Sequence, residues 1–418
     1  MFLVLRQFKQ KQSDMKLKHA PIAGTLLASF FIFAYFVLPM FSKVLYDTNM
    51  PAAETTSSEA AAVAVVSAPA PPVWKATHVA TPKAVKAIYM TSWVAGTNDF
   101  RNRLVNLLDT TEANALVIDI KDYTGKIAFA VEDPYLQEFD SVEERIPDIK
   151  EFIERLHSKN IYVIGRISVF QDPHFVKIRP DLAVKRSSDG GVWKDRKGIS
   201  WLDAGAKEVW DYHVAIGKQA YAYGFDELNF DYIRFPSDGD MYDIAYPFSE
   251  GKTKALVMKE FYAYLRQELG DTGAILSADL FGMVTTNADD LNIGQKLEYA
   301  LPYFDYIGPM VYPSHYPPGF NGYLAPAKVP YDVVKFSLDR AHAKVKALAW
   351  SASTTPDSRE AKAHFSQIRP WLQDFDLGAD YTADMVRAQM QATYDAGLDS
   401  WMLWDAANTY TAAALYSE

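Results

Sequence analysis

The chain has 418 residues, 49% of them hydrophobic, which is enough to bury the core of one large domain or of two ordinary ones. Its formal net charge of −10 argues against a nucleic-acid partner, because no surplus of basic residues is present to neutralise phosphates. The absence of cysteine excludes thiol catalysis, disulfide bonds and thiolate metal sites.

The N-terminal part predicts a membrane anchor followed by a tether. Residues 1–19 form a basic tail, and residues 20–41 contain no charged side chain. A helix of about 20 apolar residues spans a bilayer and its basic flank stays in the cytoplasm, so the rest of the chain is expected to be extracytoplasmic. A cleaved signal peptide is the alternative, although no Ala-x-Ala pattern follows the apolar run. Residues 42–82, rich in Ala, Pro, Ser and Thr, predict a disordered linker.

From residue 83 to residue 418, short β-branched segments alternate with amphipathic ones. Repeated about eight times, this alternation predicts an α/β domain of the (β/α)8 TIM-barrel class. The predicted strands are residues 87–91, 115–121, 162–168, 227–233, 275–280, 306–311, 368–373 and 400–404. The predicted helices are residues 100–110, 146–159, 206–223, 253–269, 289–301, 331–346 and 383–396. An open doubly wound sheet is the alternative, but the turn after the first strand is not a Gly-rich phosphate loop.

Three residues mark the ends of predicted helices. Pro147 is expected in the first turn of its helix, where a missing N–H costs nothing. Gly224 and Gly397 are expected to cap the C-terminal ends of two other helices. Pro370 interrupts the seventh predicted strand, because proline cannot donate to the ladder.

The fourth predicted strand carries an unusual polar pattern. Side chains alternate between the two faces of a strand, so Glu227, Asn229 and Asp231 share the face that is expected to point inward. The opposite face carries side chains that can pack against a helix: Leu228, Phe230 and Tyr232. Buried polar groups are costly without a purpose, so the pattern predicts a strand that ends in a polar active site.

Reactive groups of a (β/α)8 barrel gather at the C-terminal ends of the strands. Carboxylates, cations and aromatic rings all occur at the predicted strand ends. Cleavage of a glycosidic bond needs one ionised and one protonated carboxyl group, and aromatic rings can stack on sugars. The residues predicted to bind substrate are Asp119, Lys121, Arg166, Glu227, Asn229, Arg234, Tyr312, His315, Trp371, Trp404 and Asp405.

Three aspartates are candidates for catalysis. Asp231 ends the fourth strand on the inward face, and Arg234 follows it closely enough to hold it ionised. Asp279 ends the fifth strand and is the second candidate, and Asp374 after the seventh strand is the third. His315 lies in a loop rich in Pro and Tyr and is expected to contact substrate rather than to act as a base.

Several other chemistries lack their motifs. The eight histidines stand apart from one another, and no His-Glu-x-x-His sequence is present, which argues against a zinc protease. No Gly-x-Ser-x-Gly elbow is present for a serine hydrolase. We therefore expect neither a metal nor a cofactor.

Several motifs resemble a known family. They are residues 114–122, 162–167, 224–236, 277–282, 309–319, 369–375 and 397–408, and they follow one another in order from Val85 to Tyr410. In this respect the chain resembles the glycosyl hydrolase-like (β/α)8 barrels of the DUF4015 family. The resemblance implies a carbohydrate-active enzyme. Similar motifs in other glycosidase-like barrels place the nucleophile at the end of strand 4, which corresponds to Asp231.

The sequence thus predicts a membrane-anchored glycoside hydrolase that acts on an extracytoplasmic polysaccharide. A non-catalytic glycan-binding or envelope-scaffold barrel is the first alternative. A metal-dependent carbohydrate esterase or deacetylase is the second. The sugar, its linkage, the endo or exo mode, the stereochemical outcome, the partner of Asp231 and the oligomeric state are all left open by the sequence.

Overall fold

A computed structural model describes residues 74–351, residue 359 and residues 363–417. The predicted basic tail (1–19), the predicted anchor (20–41) and residues 42–73 of the predicted linker lie outside the described residues. Within the described part of the chain, no helix combines the length and the apolar character that a membrane span requires.

Eight parallel strands pair in chain order, and the last strand pairs with the first, so the sheet closes into a barrel. This closure confirms the predicted (β/α)8 class and excludes the open doubly wound sheet. The strands are β1 (Lys86–Met90), β2 (Ala115–Lys121), β3 (Tyr162–Ser168), β4 (Glu227–Asp231), β5 (Ile275–Phe281), β6 (Tyr306–Met310), β7 (Trp371–Gln373) and β8 (Trp401–Trp404).

Two strands are shorter than predicted by two residues or more, each for a backbone reason. Strand β4 ends at Asp231 rather than at residue 233, because Tyr232 adopts a left-handed conformation with φ of 53°. Strand β7 begins at Trp371 rather than at residue 368. Ile368 forms only an isolated bridge to Ile307, and Pro370 has no N–H to continue the ladder.

The α-helices in the described residues, in chain order, are α1 (Ser92–Ala95), α2 (Asn98–Asp109), α3 (Pro134–Gln137), α4 (Ile149–His157), α5 (Pro173–Ile178), α6 (Lys207–Ala222), α7 (Lys254–Leu269), α8 (Leu297–Ala300), α9 (Pro330–Ser351) and α10 (Ala383–Asp395). The predicted helices around α2, α4, α6, α7, α9 and α10 are confirmed, with ends that shift by a few residues. Gly224 and Gly397 follow α6 and α10 with φ of 105° and 91°, as expected for helix caps.

Two helix predictions are wrong in detail. The predicted helix at 289–301 is reduced to α8, because Leu291 and Asn292 have positive φ values of 54° and 55° that break a right-handed helix. Pro147 precedes the N-cap residue Asp148 and therefore lies outside the first turn of α4.

The barrel interior is packed by both apolar and polar side chains. One buried cluster fills the inside of the strands with residues such as Val117, Ile164 and Trp371, and a larger cluster lies between strands and helices. All residues of β2, β3 and β4 are buried, because helices cover the outer face and side chains fill the inner one.

An ion pair is enclosed near the N-terminal end of the barrel. Glu227 begins β4 with none of its surface exposed, and Arg369 donates from Nη1 to both of its carboxylate oxygens at 2.9 and 3.0 Å. The Tyr162 hydroxyl donates to Glu227 at 3.1 Å, and the Arg369 guanidinium lies 3.9 Å from the centre of the Tyr306 ring. Glu227 therefore points inward as predicted, and its contacts support the barrel near the N-terminal ends of the strands.

We predict that Arg369→Met lowers the free energy of unfolding by about 3–5 kcal/mol, because Glu227 would remain buried without its cation. Urea denaturation followed by circular dichroism measures this loss. The control is Lys335→Met, which breaks an exposed pair with Asp339 and should cost less than about 1 kcal/mol. Equal losses in the two variants would contradict a structural role for the buried pair.

Candidate active site

A cavity of about 440 Å³ opens at the C-terminal ends of the strands. Eight of the sequence-predicted site residues line it: Arg166, Asp231, Arg234, Asp279, Tyr312, His315, Trp371 and Trp404. The other lining residues are Tyr232, Phe281, Gly282, Met283, Met310 and Tyr316. Charged groups and aromatic rings from six consecutive strands and the loops that follow them thus converge on one space.

Asp231, the last residue of β4, is held by Arg166 from β3. Arg166 donates from Nε to Asp231 Oδ2 at 3.1 Å and makes a second, shorter bond from Nη2 to the same oxygen. The backbone N–H of Tyr232 donates to Oδ1 at 2.6 Å. Both carboxylate oxygens of Asp231 thus accept hydrogen bonds, and the donor to Oδ2 is a cation.

Arg234 does not form the ion pair that was predicted for it. Its Nη1 donates instead to the carbonyl of Phe235 at 3.0 Å and to Ser237 Oγ at 3.3 Å. The cation beside Asp231 comes from the neighbouring strand because β3 and β4 pair in register, with Ser168 opposite Asp231.

Arg166 also binds a second carboxylate. Its Nη1 donates to Asp119 Oδ1 at 2.7 Å, and the Tyr89 hydroxyl donates to Asp119 Oδ2 at 2.5 Å. The rings of Tyr89 and Trp404 stack with centroids 4.0 Å apart, and the guanidinium lies 5.1 Å from the centre of the Trp404 ring. Asp119, Asp231 and the Trp404 ring thus hold the Arg166 guanidinium in one position. Asp119 contributes to the cavity by orienting Arg166.

Asp279, near the end of β5, has a different environment. Its Oδ1 accepts hydrogen bonds from Asn229 Nδ2 at 3.0 Å and from Trp371 Nε1 at 2.7 Å. Burial, together with the negative charge of Asp231, raises the pKa of Asp279 from 3.8 to about 8. Asp279 is therefore protonated at neutral pH.

A glycine makes room for Asp279. Gly308 lies opposite Asp279 in the pairing of β5 with β6, and a Cβ atom at that position would lie 2.6 Å from Asp279 Oδ1. The absence of a side chain at residue 308 thus lets the carboxyl group occupy the barrel mouth.

Six predicted residues do not line the cavity. Asp119 and Asn229 bind the lining residues Arg166 and Asp279, and the other four are Glu227, Asp374, Asp405 and Lys121. Asp374 accepts hydrogen bonds from the N–H and Oγ1 of Thr411 at 2.9 and 2.6 Å, and burial raises its pKa to about 6. These contacts make Asp374 a loop anchor.

Asp405 and Lys121 are likewise engaged elsewhere. Asp405 accepts from the backbone N–H groups of Ala407 and Thr409 at 3.0 and 2.7 Å, which shapes the turn after β8. Lys121 follows an irregularity in the β2–β3 ladder. Its Nζ lies fully buried, 2.8 Å from Asp172 Oδ2, so the expected substrate contact is corrected to a structural ion pair.

Sequence reasoning missed several residues of the site. Phe281 and Met310 lie two positions after Asp279 and Gly308, so the alternation of each strand was a signal that could have identified them. Tyr89 likewise points inward from β1, where no candidate was chosen. Tyr232 was assigned to the outer face, and its left-handed backbone reverses that expectation.

Comparison with known families gives a match over most of the chain. The model of the family described as "Putative glycosyl hydrolase domain" (DUF4015) matches residues 87–410. The chain belongs to this family. Apart from Lys86 at the start of β1, the matched range contains all strands of the DUF4015 barrel and every residue that lines its cavity.

Solved structures resemble this DUF4015 domain to different extents. A hypothetical protein from Ruminiclostridium thermocellum ATCC 27405 is 35% identical with a TM-score of 0.43, covering 49% of this chain and 98% of that one. The PgaB (BpsB) glycoside hydrolase domain from Bordetella bronchiseptica is 13% identical with a TM-score of 0.49, covering 77% and 94%.

A third structure, alpha-L-fucosidase isoenzyme 2 from Paenibacillus thiaminolyticus, is 10% identical with a TM-score of 0.51. The match covers 79% of this chain and 48% of that one, so the chain spans about half the length of the fucosidase and shares its fold. Comparison with curated proteins gave no match.

The described part of the DUF4015 domain contains no group of three or more His, Cys, Asp or Glu residues arranged to hold a metal ion.

We predict that Asp231→Asn lowers the pKa of Asp279, because it removes the negative charge that opposes ionisation of Asp279. Burial should keep that pKa above its ordinary value. Carboxyl ¹³C NMR titration measures the shift. Asp374 is the internal control, since burial and the neighbouring Asp405 and Asp376 raise its pKa. An Asp279 pKa that is equal in the variant and the original protein would contradict the coupling.

Proposed function

We propose that this chain hydrolyses glycosidic bonds, with Asp231 and Asp279 as its two catalytic carboxyl groups. One observation carries the proposal: a single cavity contains an aspartate paired with Arg166 and another whose pKa is raised to about 8. Glycoside hydrolysis uses one ionised and one protonated carboxyl group, set apart by their environments. Membership of a glycosyl hydrolase-like family supports this assignment.

Asp279 would act as the general acid. The hydrogen bonds from Asn229 and Trp371 both reach Oδ1, which leaves Oδ2 to carry the proton. Transfer of that proton to the leaving oxygen creates a carboxylate on Asp279. The same two donors then stabilise the new negative charge, and Asn229 and Trp371 would position the acid rather than act as acids themselves.

Asp231 would supply the negative charge at the anomeric carbon. It either attacks that carbon directly or removes a proton from an attacking water, and both roles require the ionised form. Arg166 holds the carboxylate in place, while Asp119 and Tyr89 hold Arg166. A carboxylate fixed before the substrate binds needs little reorganisation as positive charge develops on the sugar.

The walls of the cavity suit a sugar. The cavity that holds the two carboxyl groups is also lined by aromatic side chains, namely Trp371, Trp404, Tyr312 and Phe281. The apolar faces of a sugar ring can stack on such side chains. Burial lowers the pKa of His315, so its imidazole would contact the substrate as a neutral group.

We predict that Asp279→Asn lowers kcat/KM by about 10²–10⁴-fold on a polysaccharide, because the leaving oxygen loses its proton donor. The loss should be much smaller on dinitrophenyl glycosides, whose leaving group needs no proton. Asp231→Asn should abolish activity on both substrates. Release of reducing sugar by the full-length chain from cell-wall and exopolysaccharides measures the first activity, and absorbance of the phenolate measures the second.

The matched control is Asp374→Asn, a buried strand-end aspartate outside the cavity, which should retain activity. In the original protein, kcat/KM should fall as the pH rises through about 8, where Asp279 loses its proton. Full activity in Asp231→Asn or Asp279→Asn would refute the corresponding role. Glycan binding without any release of sugar would favour the glycan-binding alternative.

We also propose that the domain is tethered to a membrane and acts on an extracytoplasmic polysaccharide. The support is the uncharged run at 20–41 between a basic tail and a linker rich in Ala and Pro. We predict that an alkaline wash leaves the full-length chain in the membrane fraction and that protease on the extracytoplasmic side of the membrane removes the barrel. A barrel protected from that protease, or one released by the wash, would contradict the tethered topology.

A further inference from the structure

We propose that the cavity accepts a glycan bearing an anionic substituent, such as a carboxylate or a sulfate, and that Arg234 binds this group. The inference rests on the proposed function for the location of the sugar. It extends that function by naming the charge of the substrate and the residue that selects it.

Arg234 is buried and nevertheless faces the cavity. Only 9% of the residue is exposed, and it lines the same space as Asp231 and Asp279. Its guanidinium lies 4.7 Å from the centre of the Trp201 ring and 4.9 Å from that of Phe281. These rings fix the orientation of the cation without neutralising it.

Arg234 differs from the other buried arginines of the described residues in having no carboxylate partner. Each of those others forms an ion pair: Arg101 with Asp148, Arg145 with Asp122, Arg166 with Asp119 and Asp231, and Arg369 with Glu227. A buried charge is costly unless it is paired, so an unpaired guanidinium at a cavity wall indicates that an anion binds there in the functional complex.

The free donors of Arg234 have the geometry that an anion needs. Both hydrogen bonds of its side chain in the described residues come from Nη1, to Phe235 and Ser237. The edge formed by Nε and Nη2 therefore keeps its N–H groups for a ligand. This edge of a guanidinium binds carboxylate or sulfate oxygens in a bidentate manner.

The charges around the cavity leave Arg234 as the group that attracts an anion. Arg166 is engaged by Asp119 and Asp231, and His315 is neutral because burial lowers its pKa. Asp279 is protonated below about pH 8 and adds no repulsion. The charges of Asp231, Asp238 and Asp195 also act on Arg234, but none of these carboxylates bonds to it. Its Nε and Nη2 groups are therefore the donors open to an anion.

Matched glycans test the proposal. Oligouronides are compared with their methyl esters, and sulfated oligosaccharides with their desulfated forms, so that the members of each pair differ only at the anionic group. Affinities are measured by calorimetry with the full-length chain carrying Asp231→Asn, which prevents turnover and keeps binding separate from catalysis. We expect tighter binding of one charged member, and the pair that responds identifies carboxylate or sulfate.

Arg234→Gln should reduce that preference for the charged glycan by about 10–100-fold, the range expected for loss of a charge-assisted bidentate contact. Arg234→Lys should restore part of it, because an ammonium keeps the charge but lacks the planar fork. Arg340→Gln, which changes an exposed arginine of α9, is the control and should leave the preference unchanged.

The outcomes separate this proposal from the catalytic one. A preference that depends on Arg234 in a chain that hydrolyses no glycan would support the anion site and refute the glycosidase. Hydrolysis of glycans without a preference for either charged glycan would support the glycosidase and refute the anion site. Equal affinities within both pairs, an unchanged preference in Arg234→Gln, or no binding of any charged glycan would overturn the anion site.

Discussion

The contact of Arg166 with two carboxylates is the interaction on which the candidate site depends. Arg166 is buried in the barrel mouth, where it donates to Asp231 with one edge of its guanidinium and to Asp119 with another nitrogen. Without this cation, two carboxylates would be enclosed with no charge to balance them, at a cost of several kcal/mol. With it, the charge of Asp231 is balanced within the barrel mouth. The pKa of Asp279 is raised to about 8 first by burial and then by the negative charge of Asp231.

The interior of the barrel forms a series of polar contacts along β4. Glu227 is paired with Arg369 near the start of the strand, Asn229 donates to Asp279 further along, and Asp231 accepts from Arg166 at the end. Each contact satisfies groups that would be costly to bury alone. The pair of Glu227 and Arg369 supports the barrel, and the bond from Asn229 positions Asp279. The bonds from Arg166 hold the Asp231 carboxylate in place. Arg234, beyond the strand, follows another pattern, because it has no carboxylate partner among the described residues and faces the cavity.

Much of the fold followed from local pattern. The strands of residues 115–121 and 162–168 were predicted to the residue, because each is a short run enriched in β-branched side chains with clear boundaries. The errors occurred where backbone conformation overrode composition. Leu291 and Asn292 adopt positive φ values that no periodicity reveals, and Tyr232 does the same at the end of β4. The alternation of β4 correctly placed its three polar side chains inward, since the period of a strand is two.

The sequence by itself determined the class of fold, the inward face of β4 and the candidacy of Asp231 and Asp279, because these depend on periodicity and on the ends of strands. Only the tertiary structure decided which cation holds Asp231 and which acid shares its cavity. Arg166 comes from the neighbouring strand and Asp374 turns toward Thr411, and both choices depend on register and loop geometry between distant parts of the chain. The pKa of Asp279 was likewise beyond the sequence, since burial and the nearby charge of Asp231 exist only after the barrel has closed.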